Sequence, residues 1–247
     1  MQIRFIIQAR LLSTRLPKKS MALVGDRPLA GHILDRLQHL AAPEVSITAA
    51  LPKGESNELA SFFENEGVRV YLGATTDVLS RYQESSADLE PDDFIVRLTG
   101  DNPFLDHREA QKVIEVLRHK EKVDLIYPLQ LPLGMGFEII RVGALRSQLE
   151  HPLGPHHKEH VSVFIKEHPE LYQICPVENY TEHPQIRLTV DYHEDLEMAR
   201  KCYQHFASKG NPHFCSDDVY DLYRREPHFF DDNLHMEQKP ATSYEKS

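Results

Sequence analysis

Residues 3–19 read IRFIIQARLLSTRLPKK, an apolar run that gives way at Arg10 to a polar segment rich in cations. Ile3 to Ala9 is short and rich in β-branched and aromatic residues, which is typical of a buried strand. The same order, a short apolar run and then an amphipathic segment, recurs along the chain. Because alternating strands and helices form a mostly parallel sheet with helices on both faces, we expect an α/β fold. Ligands of such sheets bind beyond the carboxyl ends of strands, which singles out the loop after Ala9 and the turn after Thr99.

The remaining helices and strands follow one another without an internal repeat or a linker. Pro28 opens an amphipathic helix, and Asp106 caps another. From Glu226 onward the apolar residues thin out, so we expect one domain over residues 1–225 and a loosely held tail over residues 226–247. Further strands are expected at Val45 to Leu51, Val68 to Leu72, Phe94 to Thr99, Asp124 to Tyr127, Phe137 to Ile140 and Ile186 to Val190. Further helices are expected at Glu55 to Glu66, Thr76 to Ala87 (capped by Thr75 or Thr76), Lys158 to Glu167, Glu194 to Phe206 and Ser216 to Tyr223.

The composition argues against several classes of protein. The chain has 247 residues, of which 40% are hydrophobic and 27% charged, and its net charge is −10. So acidic a surface argues against nucleic acid and against anionic membranes as partners. No apolar run approaches the roughly 20 residues of a membrane span. Cys175, Cys202 and Cys215 are odd in number and far apart, so no disulfide framework is indicated and a cytoplasmic location is expected.

The segment after the first strand, called here the cationic loop (residues 9–19), carries the groups that a triphosphate requires. It offers two guanidinium groups, two ammonium groups, two hydroxyl groups and backbone amides, all of which bind phosphate oxygens. The spacing of a P-loop is missing. From these residues alone, phosphate binding and an ordinary exposed loop remain equally acceptable interpretations.

Five segments of the chain resemble those of one enzyme family. Residues 8–19 resemble the Q-A-R-M-G-S-T-R-L-P-G-K signature of cytidylyltransferases of the spore coat polysaccharide biosynthesis protein F type. These enzymes are related to those that activate the sugar acids Kdo and sialic acid with CTP. In the same order, residues 77–82 (DVLSRY), 96–106 (VRLTGDNPFLD), 158–161 (KEHV) and 188–197 (LTVDYHEDLE) are similar to D-V-L-D-R-F, V-R-V-T-A-D-C-P-L-I-D, R-E-H-V and L-T-V-D-T-P-E-D-L-E of that family.

The resemblance implies a site for the triphosphate at the first strand. The residues implied are Gln8 and Ala9 at the end of the strand and Arg10, Ser13, Arg15 and Lys19 in the cationic loop. The implied catalytic residues are Arg10, Arg15, Lys19 and Asp101.

The resemblance further implies that Asp101 and Asp191 bind the catalytic Mg²⁺. The predicted strands support this pair, because each aspartate directly follows one and strand ends can meet in one cleft. Mg²⁺ prefers hard oxygen ligands and usually takes one or two carboxylates. From the residues alone, an Asx-turn at Asp101 and a helix N-cap at Asp191 remain alternatives.

Other residues are assigned to the nucleotide or to the acceptor by the same resemblance. Arg81 and Arg97 would face the nucleotide, although Arg81 could pair with Asp77 and Arg97 with another carboxylate. Residues 134–138 (GMGFE) resemble the family's G-L-D-V-E, a segment beside the acceptor. Gly134, Glu138 and His160 are therefore the expected contacts of the acceptor.

The chain departs from the family pattern at three positions, and its histidines offer one alternative metal site. Leu12 and Lys18 replace small residues of the cationic loop, and Gly136 replaces an aspartate, so these changes affect either the substrate or the activity itself. His156 and His160 lie four positions apart on a predicted helix, which would suit zinc, but the spacing indicates no further ligand.

Together these observations predict a single-domain fold of the nucleotide-diphospho-sugar transferase (glycosyltransferase-A-like) type and a cytidylyltransferase. It would use CTP, Mg²⁺ and a small-molecule acceptor of surface-glycan metabolism, either a sugar acid or a phosphorylated compound. A homodimer is compatible with the resemblance. A glycosyltransferase of the same fold and a degenerate nucleotide-binding scaffold or sensor are the alternatives.

Overall fold

A seven-stranded sheet lies at the centre of the protein, and a two-stranded hairpin lies beside it. The computed structural model describes residues 1–54, 57–119, 122–178 and 185–236. In these ranges the strands are β1 Ile3–Gln8, β2 Leu23–Val24, β3 Arg27–Pro28, β4 Val45–Pro52, β5 Arg69–Gly73, β6 Phe94–Thr99, β7 Leu125–Pro128, β8 Glu138–Arg141 and β9 Ile174–Val177. The α-helices are α1 Leu29–Leu37, α2 Asn57–Asn65, α3 Val78–Ser85, α4 His107–Arg118, α5 Val142–Ser147, α6 Pro155–Glu159, α7 Val163–Glu167, α8 His193–Ala207 and α9 Ser216–Arg225.

The order of the strands creates one point at which a ligand can enter. The sheet runs β5-β4-β1-β6-β8-β7-β9, with β5, β4, β1 and β6 parallel and β8 antiparallel to both of its neighbours. After β1 the chain continues to β4 and β5 on one side and then returns to β6 on the other. Gln8 at the end of β1 pairs with Thr99 at the end of β6. The cationic loop and the turn after Thr99 therefore start side by side at the topological switch point.

Alternating side chains of β1 explain why helices cover both faces of the sheet. Ile3, Phe5 and Ile7 belong to one buried cluster, which they share with residues of α1, α2 and α4. Ile6 belongs to a second cluster, formed with residues of α3, α5 and α7 on the opposite face. Since successive side chains of a strand point to opposite faces, the apolar run predicted from the sequence is buried on both sides. The expected α/β fold with a mostly parallel sheet is confirmed.

The segment expected as a strand at Ile186 to Val190 is extended, but it lies outside the central sheet. In the part of the chain that the structure describes, its β-type pairing is limited to an isolated parallel bridge between Leu133 and Arg187. The Leu188 amide donates to the Leu133 carbonyl (2.7 Å), and the Val190 amide donates to the Asp101 carbonyl (2.8 Å). Its apolar side chains pack in a third cluster, with α8 and α9, which accounts for the apolar pattern. The prediction of a sheet strand here was wrong.

Several boundaries also differ from the expectation. Asp77, rather than Thr75 or Thr76, caps α3, because its carboxylate accepts the Ser80 amide at 2.9 Å. The helix expected over Lys158 to Glu167 is two short helices, α6 and α7, and strand β9 was not expected. Glu55, the expected start of α2, lies outside the described residues.

The C-terminal segment is ordered for part of its length. Residues 227–233 form a 3-10 helix in which Phe230 and Asn233 are buried. The expectation of a loosely held tail thus does not apply to these residues, because Phe230 packs in the third cluster. The remainder of the expected tail, residues 237–247, lies outside the described residues. Among the helices described, none is both long and apolar enough to traverse a lipid bilayer.

Replacement of Gly134 by alanine tests how tightly the extended segment is held. Gly134 has a φ of +100°, and an added Cβ would lie 2.4 Å from the Thr189 backbone nitrogen. We expect Gly134→Ala to lower the free energy of unfolding by about 3 kcal/mol and Tm by about 6–12 °C, measured by thermal and urea unfolding. Gly136→Ala is the matched control, because nothing lies within 4 Å of its added Cβ. Equal effects of the two changes would contradict the close approach.

Candidate functional site

The Lys19 ammonium lies between the two aspartates that the sequence singled out. Its Nζ is 2.9 Å from Oδ2 of Asp101 and 2.8 Å from Oδ1 of Asp191, and it also donates to the Val190 carbonyl at 3.0 Å. Since both carboxylate oxygens are bound to one nitrogen, they can be no further apart than the sum of two hydrogen bonds. The structure therefore brings Asp101 and Asp191 together across 90 positions of sequence.

The charged cluster of Lys19, Asp101 and Asp191 is largely buried, so its ion pairs hold the three side chains in place. The side chains of Lys19 and Asp191 are each 9% exposed, and that of Asp101 is 30% exposed. Burial alone would raise the pKa of Asp101, but the Lys19 ammonium outweighs it and holds that pKa below its usual value. The three protons of the ammonium are matched by three oxygen acceptors, so the cation is fully hydrogen-bonded.

Arg15 adds a second cation on the solvent side of the cluster. Its Nη2 lies 2.8 Å from Oδ1 of Asp191, the same oxygen that accepts from Lys19. Its guanidinium carbon lies 4.9 Å from the centre of the Tyr192 ring, a cation–π distance. Arg15 and Lys19 thus approach Asp191 from two directions, as the prediction that both belong to one site requires.

The cationic loop is closed on itself by backbone hydrogen bonds. The Leu11 carbonyl accepts the amides of Ser13 (3.1 Å) and Lys18 (2.9 Å). The Ser13 hydroxyl accepts the Leu16 amide at 3.4 Å, so in this structure it supports the turn. Arg10 is exposed at the start of the loop. Arg10, Arg15 and Lys18 of the loop are thus exposed, whereas Lys19 is buried in the Asp101–Asp191 cluster.

Two of the departures from the family pattern have a structural account. Lys18 has a φ of 57°, a left-handed conformation that a glycine adopts without strain. Its ammonium pairs with Glu58 of α2 at 2.7 Å, so it points away from the two aspartates. Leu12 is 63% exposed at the tip of the loop. Lys19, not Lys18, is therefore the lysine of the cluster.

Gln8 and Ala9 contribute through their backbones and through small size. The Gln8 carbonyl accepts the Gly100 amide at 2.7 Å, which joins the start of the cationic loop to the turn after β6. A Cβ on Gly100 would lie 2.6 Å from the Cβ of Ala9, so the two loops touch. This close approach sets Asp101 next to the loop that carries Lys19.

Arg97 and Glu138 form a second charged pair at the neighbouring strand ends. Arg97 Nη1 donates to Glu138 Oε2 at 3.1 Å, and Glu138 also accepts from Ser162 (2.8 Å) and Lys166 (2.5 Å). Burial would raise the pKa of Glu138, but Arg97 and Lys166 outweigh it and lower that pKa to about 2. Of the two interpretations of Arg97 from the sequence, the ion pair is present. Lys166 and Ser162 were not identified from the sequence.

A cavity of about 330 Å³ connects this pair with the turn that carries Asp101. Gly134 and Glu138, two of the expected contacts of the acceptor, lie in its wall. The lining residues are Arg97, Thr99, Asn102, Tyr127, Pro128, Leu129, Gln130, Leu131, Pro132, Leu133, Gly134, Gly136, Phe137, Glu138 and Lys166. A larger cavity of about 500 Å³ lies between β2 and α8, and its lining, from Leu23 to Ser208, includes none of the predicted site residues.

Arg81 and His160 are placed differently from the residues above. Arg81 is only 2% exposed, and its guanidinium donates to the carbonyls of Ala74 (2.7 Å) and Thr75 (3.2 Å) after β5. His160 follows α6, and its partial burial lowers its pKa. Neither side chain lines the cavity among the described residues, so their roles in binding stay predictions.

The histidine-rich segment acquires a partner that spacing did not indicate. His156, His157 and Glu167 place one ligand atom each within 4.8 Å of one another. However, the Gly154 amide donates to Nδ1 of His157 at 3.0 Å, so the proton of the neutral ring lies on Nε2. That Nε2 faces Glu167 at 2.8 Å and forms a hydrogen bond. A hydrogen-bonded cluster explains this geometry without zinc.

The oxygen atoms of the Asp101–Asp191 cluster suit a divalent cation as ligands. Two carboxylate oxygens and one carbonyl oxygen already surround one positive centre, the Lys19 nitrogen. Hard oxygen ligands of this kind are those that Mg²⁺ prefers. The residues present therefore fit the metal that the resemblance implies.

Comparison with known proteins gives a consistent result. Residues 4–212 match the model of a protein family described as Cytidylyltransferase. The spore coat polysaccharide biosynthesis protein SpsF of Bacillus subtilis is 31% identical over 233 residues, which is 91% of this chain and 95% of the relative. An uncharacterised protein of Methanocaldococcus jannaschii is 32% identical over 83% of this chain and 85% of its own. The 3-deoxy-manno-octulosonate cytidylyltransferase of Thioalkalivibrio sulfidiphilus is 31% identical over 49% of this chain and 48% of its own.

Solved structures share the fold. A cytidylyltransferase from Leptospira borgpetersenii superposes with a TM-score of 0.82 at 24% identity, covering 97% of this chain and all of the other. A CMP:2-keto-3-deoxy-manno-octonic acid synthetase in complex with CTP superposes with a TM-score of 0.66 at 16% identity, over 83% of this chain and 99% of the other.

Replacement of Lys19 by methionine tests the central cluster. The variant leaves the carboxylates of Asp101 and Asp191 facing each other without their shared cation. We expect the free energy of unfolding to fall by about 3–5 kcal/mol, as when one partner of a buried ion pair is removed. Mg²⁺ should then stabilise the variant more than the wild type, which urea unfolding with and without the ion would measure.

Lys18→Met is the matched control, because the Lys18 side chain is 66% exposed and pairs only at the surface. It should change stability by no more than about 0.5 kcal/mol. A similar small effect of both changes would contradict a strong constraint at Lys19.

Proposed function

The chain belongs to the cytidylyltransferase family, and from this premise we propose that it transfers CMP from CTP to a small-molecule acceptor and releases pyrophosphate. One observation carries the proposal: the Lys19 ammonium is held between Asp101 and Asp191 at the topological switch point of the sheet. A cation-binding pair of carboxylates beside a cationic loop meets the two needs of a metal-bound triphosphate. Membership of the family makes the protein a nucleotidyltransferase.

The residues of the cationic loop would bind the triphosphate. Arg10 and Arg15 offer bidentate donors to the phosphates, and Lys19 offers a point charge. On binding, Arg15 and Lys19 would exchange their contacts with the aspartates for contacts with phosphate oxygens and neutralise the leaving pyrophosphate. The acceptor oxygen would attack the α-phosphorus in line. Positioning and electrostatics supply most of the acceleration in such a transfer, so a covalent nucleophile is not required.

Asp101 and Asp191, whose carboxylates both contact Lys19 Nζ in this structure, would hold Mg²⁺. When bound, Mg²⁺ would neutralise phosphate charge and polarise the reacting phosphoryl group. The Val190 carbonyl, which accepts from Lys19 at 3.0 Å, adds a hard oxygen beside the two carboxylates.

The acceptor is proposed to bind in the cavity beside Asn102 and Glu138. Its wall combines the largely apolar segment 127–133 with Arg97 and Lys166, whose two positive charges exceed the one negative charge of Glu138. An acidic small molecule, such as a sugar acid or a phosphorylated compound, suits that surplus of positive charge. The names of the relatives support a precursor of a surface polysaccharide.

The proposal also covers the cellular location and the oligomeric state of the protein. Cys175, Cys202 and Cys215 are free thiols, which fits a reducing compartment such as the cytoplasm. Pairing of two subunits remains a hypothesis based on the resemblance, and sedimentation would test it.

Nucleotide selectivity tests the base. We expect CTP with Mg²⁺ to raise Tm more than ATP, GTP or UTP with Mg²⁺, because a ligand at a hundred times its dissociation constant adds about 2.7 kcal/mol. Pyrophosphate release from each nucleotide with a panel of sugar acids and phosphorylated small molecules would then identify the acceptor. Equal shifts with all four nucleotides would remove the cytidylyl assignment. Binding of CTP without release for any acceptor would favour a sensor or scaffold.

Replacement of Asp101 and Asp191 by asparagine tests the shared metal site. Each change keeps the shape but removes the charge on which Mg²⁺ depends, so each should abolish Mg²⁺-stimulated turnover. Because the two carboxylates would act as a unit, the double variant should be hardly slower than either single one. Circular dichroism checks that the fold persists. Independent, multiplicative losses would contradict a shared site.

A further inference from the structure

Behind Asp191, the carboxylate of Asp195 gathers five hydrogen bonds although its side chain is 0% exposed. Arg187 donates to both of its oxygens at 2.8 Å, and the backbone amides of Asp191 and Tyr192 donate to Oδ2 at 2.9 and 3.0 Å. The fifth donor is the side-chain amide of Asn233, 2.8 Å from Oδ1. Among the described residues, these five donors thus belong to Asp191, its near neighbours in sequence or Asn233.

Asn233 comes from the end of the chain that the sequence predicted to be loose. It is the last residue of the 3-10 helix Pro227–Asn233 and is completely buried. Its Nδ2 donates to Oδ1 of Asp195 and also to the Arg187 carbonyl at 3.1 Å. One amide group therefore links the C-terminal helix to both the carboxylate and the backbone behind the catalytic cluster.

Two of these bonds determine where the backbone of Asp191 lies. The first amides of a helix have no partner within the helix, and a carboxylate at the third position commonly accepts one of them. Here Asp195 accepts the Tyr192 amide in that manner, but it also accepts the Asp191 amide, one residue before the cap. The side chain of Asp191 starts from a backbone that Asp195 fixes.

Charge explains why a neutral donor suits position 233. Arg187 already balances the charge of Asp195, and its Nη2 lies 3.8 Å from Oδ2 of Asp191. A further cation at position 233 would compete with Mg²⁺ for this group of carboxylates, and an apolar residue would leave Oδ1 one donor short. The asparagine amide completes the carboxylate without adding charge.

We propose that Asn233 and Asp195 are positioning residues that hold Asp191 in its metal-binding place, so that the C-terminal 3-10 helix completes the catalytic site. This inference rests on the proposed function for the role of Asp191. The relay itself, from the Asn233 amide through the Asp195 carboxylate to the Asp191 backbone, is independent of any bound group.

The alternative is that the 3-10 helix only adds general stability, and the chain offers a control for this. Asp232, the residue before Asn233, pairs with Lys201 of α8 at 2.7 Å, and its side chain is 61% exposed. Asp232→Ala loosens the same helix from the same neighbour without touching Asp195. Asn233→Ala removes the relay, and Asn233→Ser keeps a smaller polar group if the alanine variant does not fold.

The first measurement is hydrogen exchange of the full-length protein without ligands, followed by mass spectrometry of peptides covering residues 188–196. We expect Asn233→Ala to speed exchange at Asp191 and Tyr192 about tenfold, which is 1.4 kcal/mol and close to the value of a hydrogen bond to a charged group. Asp232→Ala should leave this segment at the wild-type rate. Unchanged exchange in Asn233→Ala, or equal acceleration in both variants, would overturn the relay.

The second measurement is the Mg²⁺ concentration for half-maximal release of pyrophosphate from CTP. It should rise about tenfold in Asn233→Ala and stay at the wild-type value in Asp232→Ala, while saturating Mg²⁺ restores turnover to the variant. A lower kcat that Mg²⁺ does not restore would overturn the positioning role. If the wild type itself shows no response to Mg²⁺, the proposed function fails, and the exchange experiment still decides the relay.

Discussion

The ammonium of Lys19 is the contact on which the arrangement of this site depends. It joins three segments that are remote in sequence: the cationic loop after β1, the turn after β6 and the extended segment before α8. Without a cation at this point, two carboxylates would face each other in a largely buried place, which is costly. The folded chain therefore needs a positive charge here, and Lys19 supplies it.

Three other cations at or near the site are paired in the same way. Arg15 binds Asp191, Arg97 binds Glu138, and Arg187 binds Asp195. An anion that bound to these cations would therefore exchange partners with groups that are already paired. Such an exchange costs less than creating charge in an apolar cleft, and it orients the cations before the ligand arrives. The ion pairs formed without a ligand thus preorganise the cations of the site.

The sheet positions one part of the charged site, and the C-terminal 3-10 helix contacts the other part. The parallel strands β1 and β6 set the cationic loop beside the turn of Asp101, because Gln8 and Thr99 end the strands in register. Asp191 has no sheet strand to hold it. The amide of the preceding residue, Val190, donates to the Asp101 carbonyl, and the Asp191 amide donates to Asp195, which Asn233 holds in turn. The less regular half of the site thus relies on side-chain hydrogen bonds where the other half relies on the ladder of the sheet.

The alternating α/β order, the buried strands β1 and β6 and the helices α1, α4 and α8 were predicted from local periodicity and caps. The resemblance of short motifs to one family nominated Lys19, Asp101 and Asp191. Both kinds of signal are readable along one segment. The folded structure was needed to show that the segment 186–190 lies outside the sheet, that Glu138 is the partner of Arg97, that Glu167 meets His157, and that Asn233 reaches Asp195. Each outcome depends on which residues meet in three dimensions, because the same apolar or charged residue would fit several partners until the fold selects one.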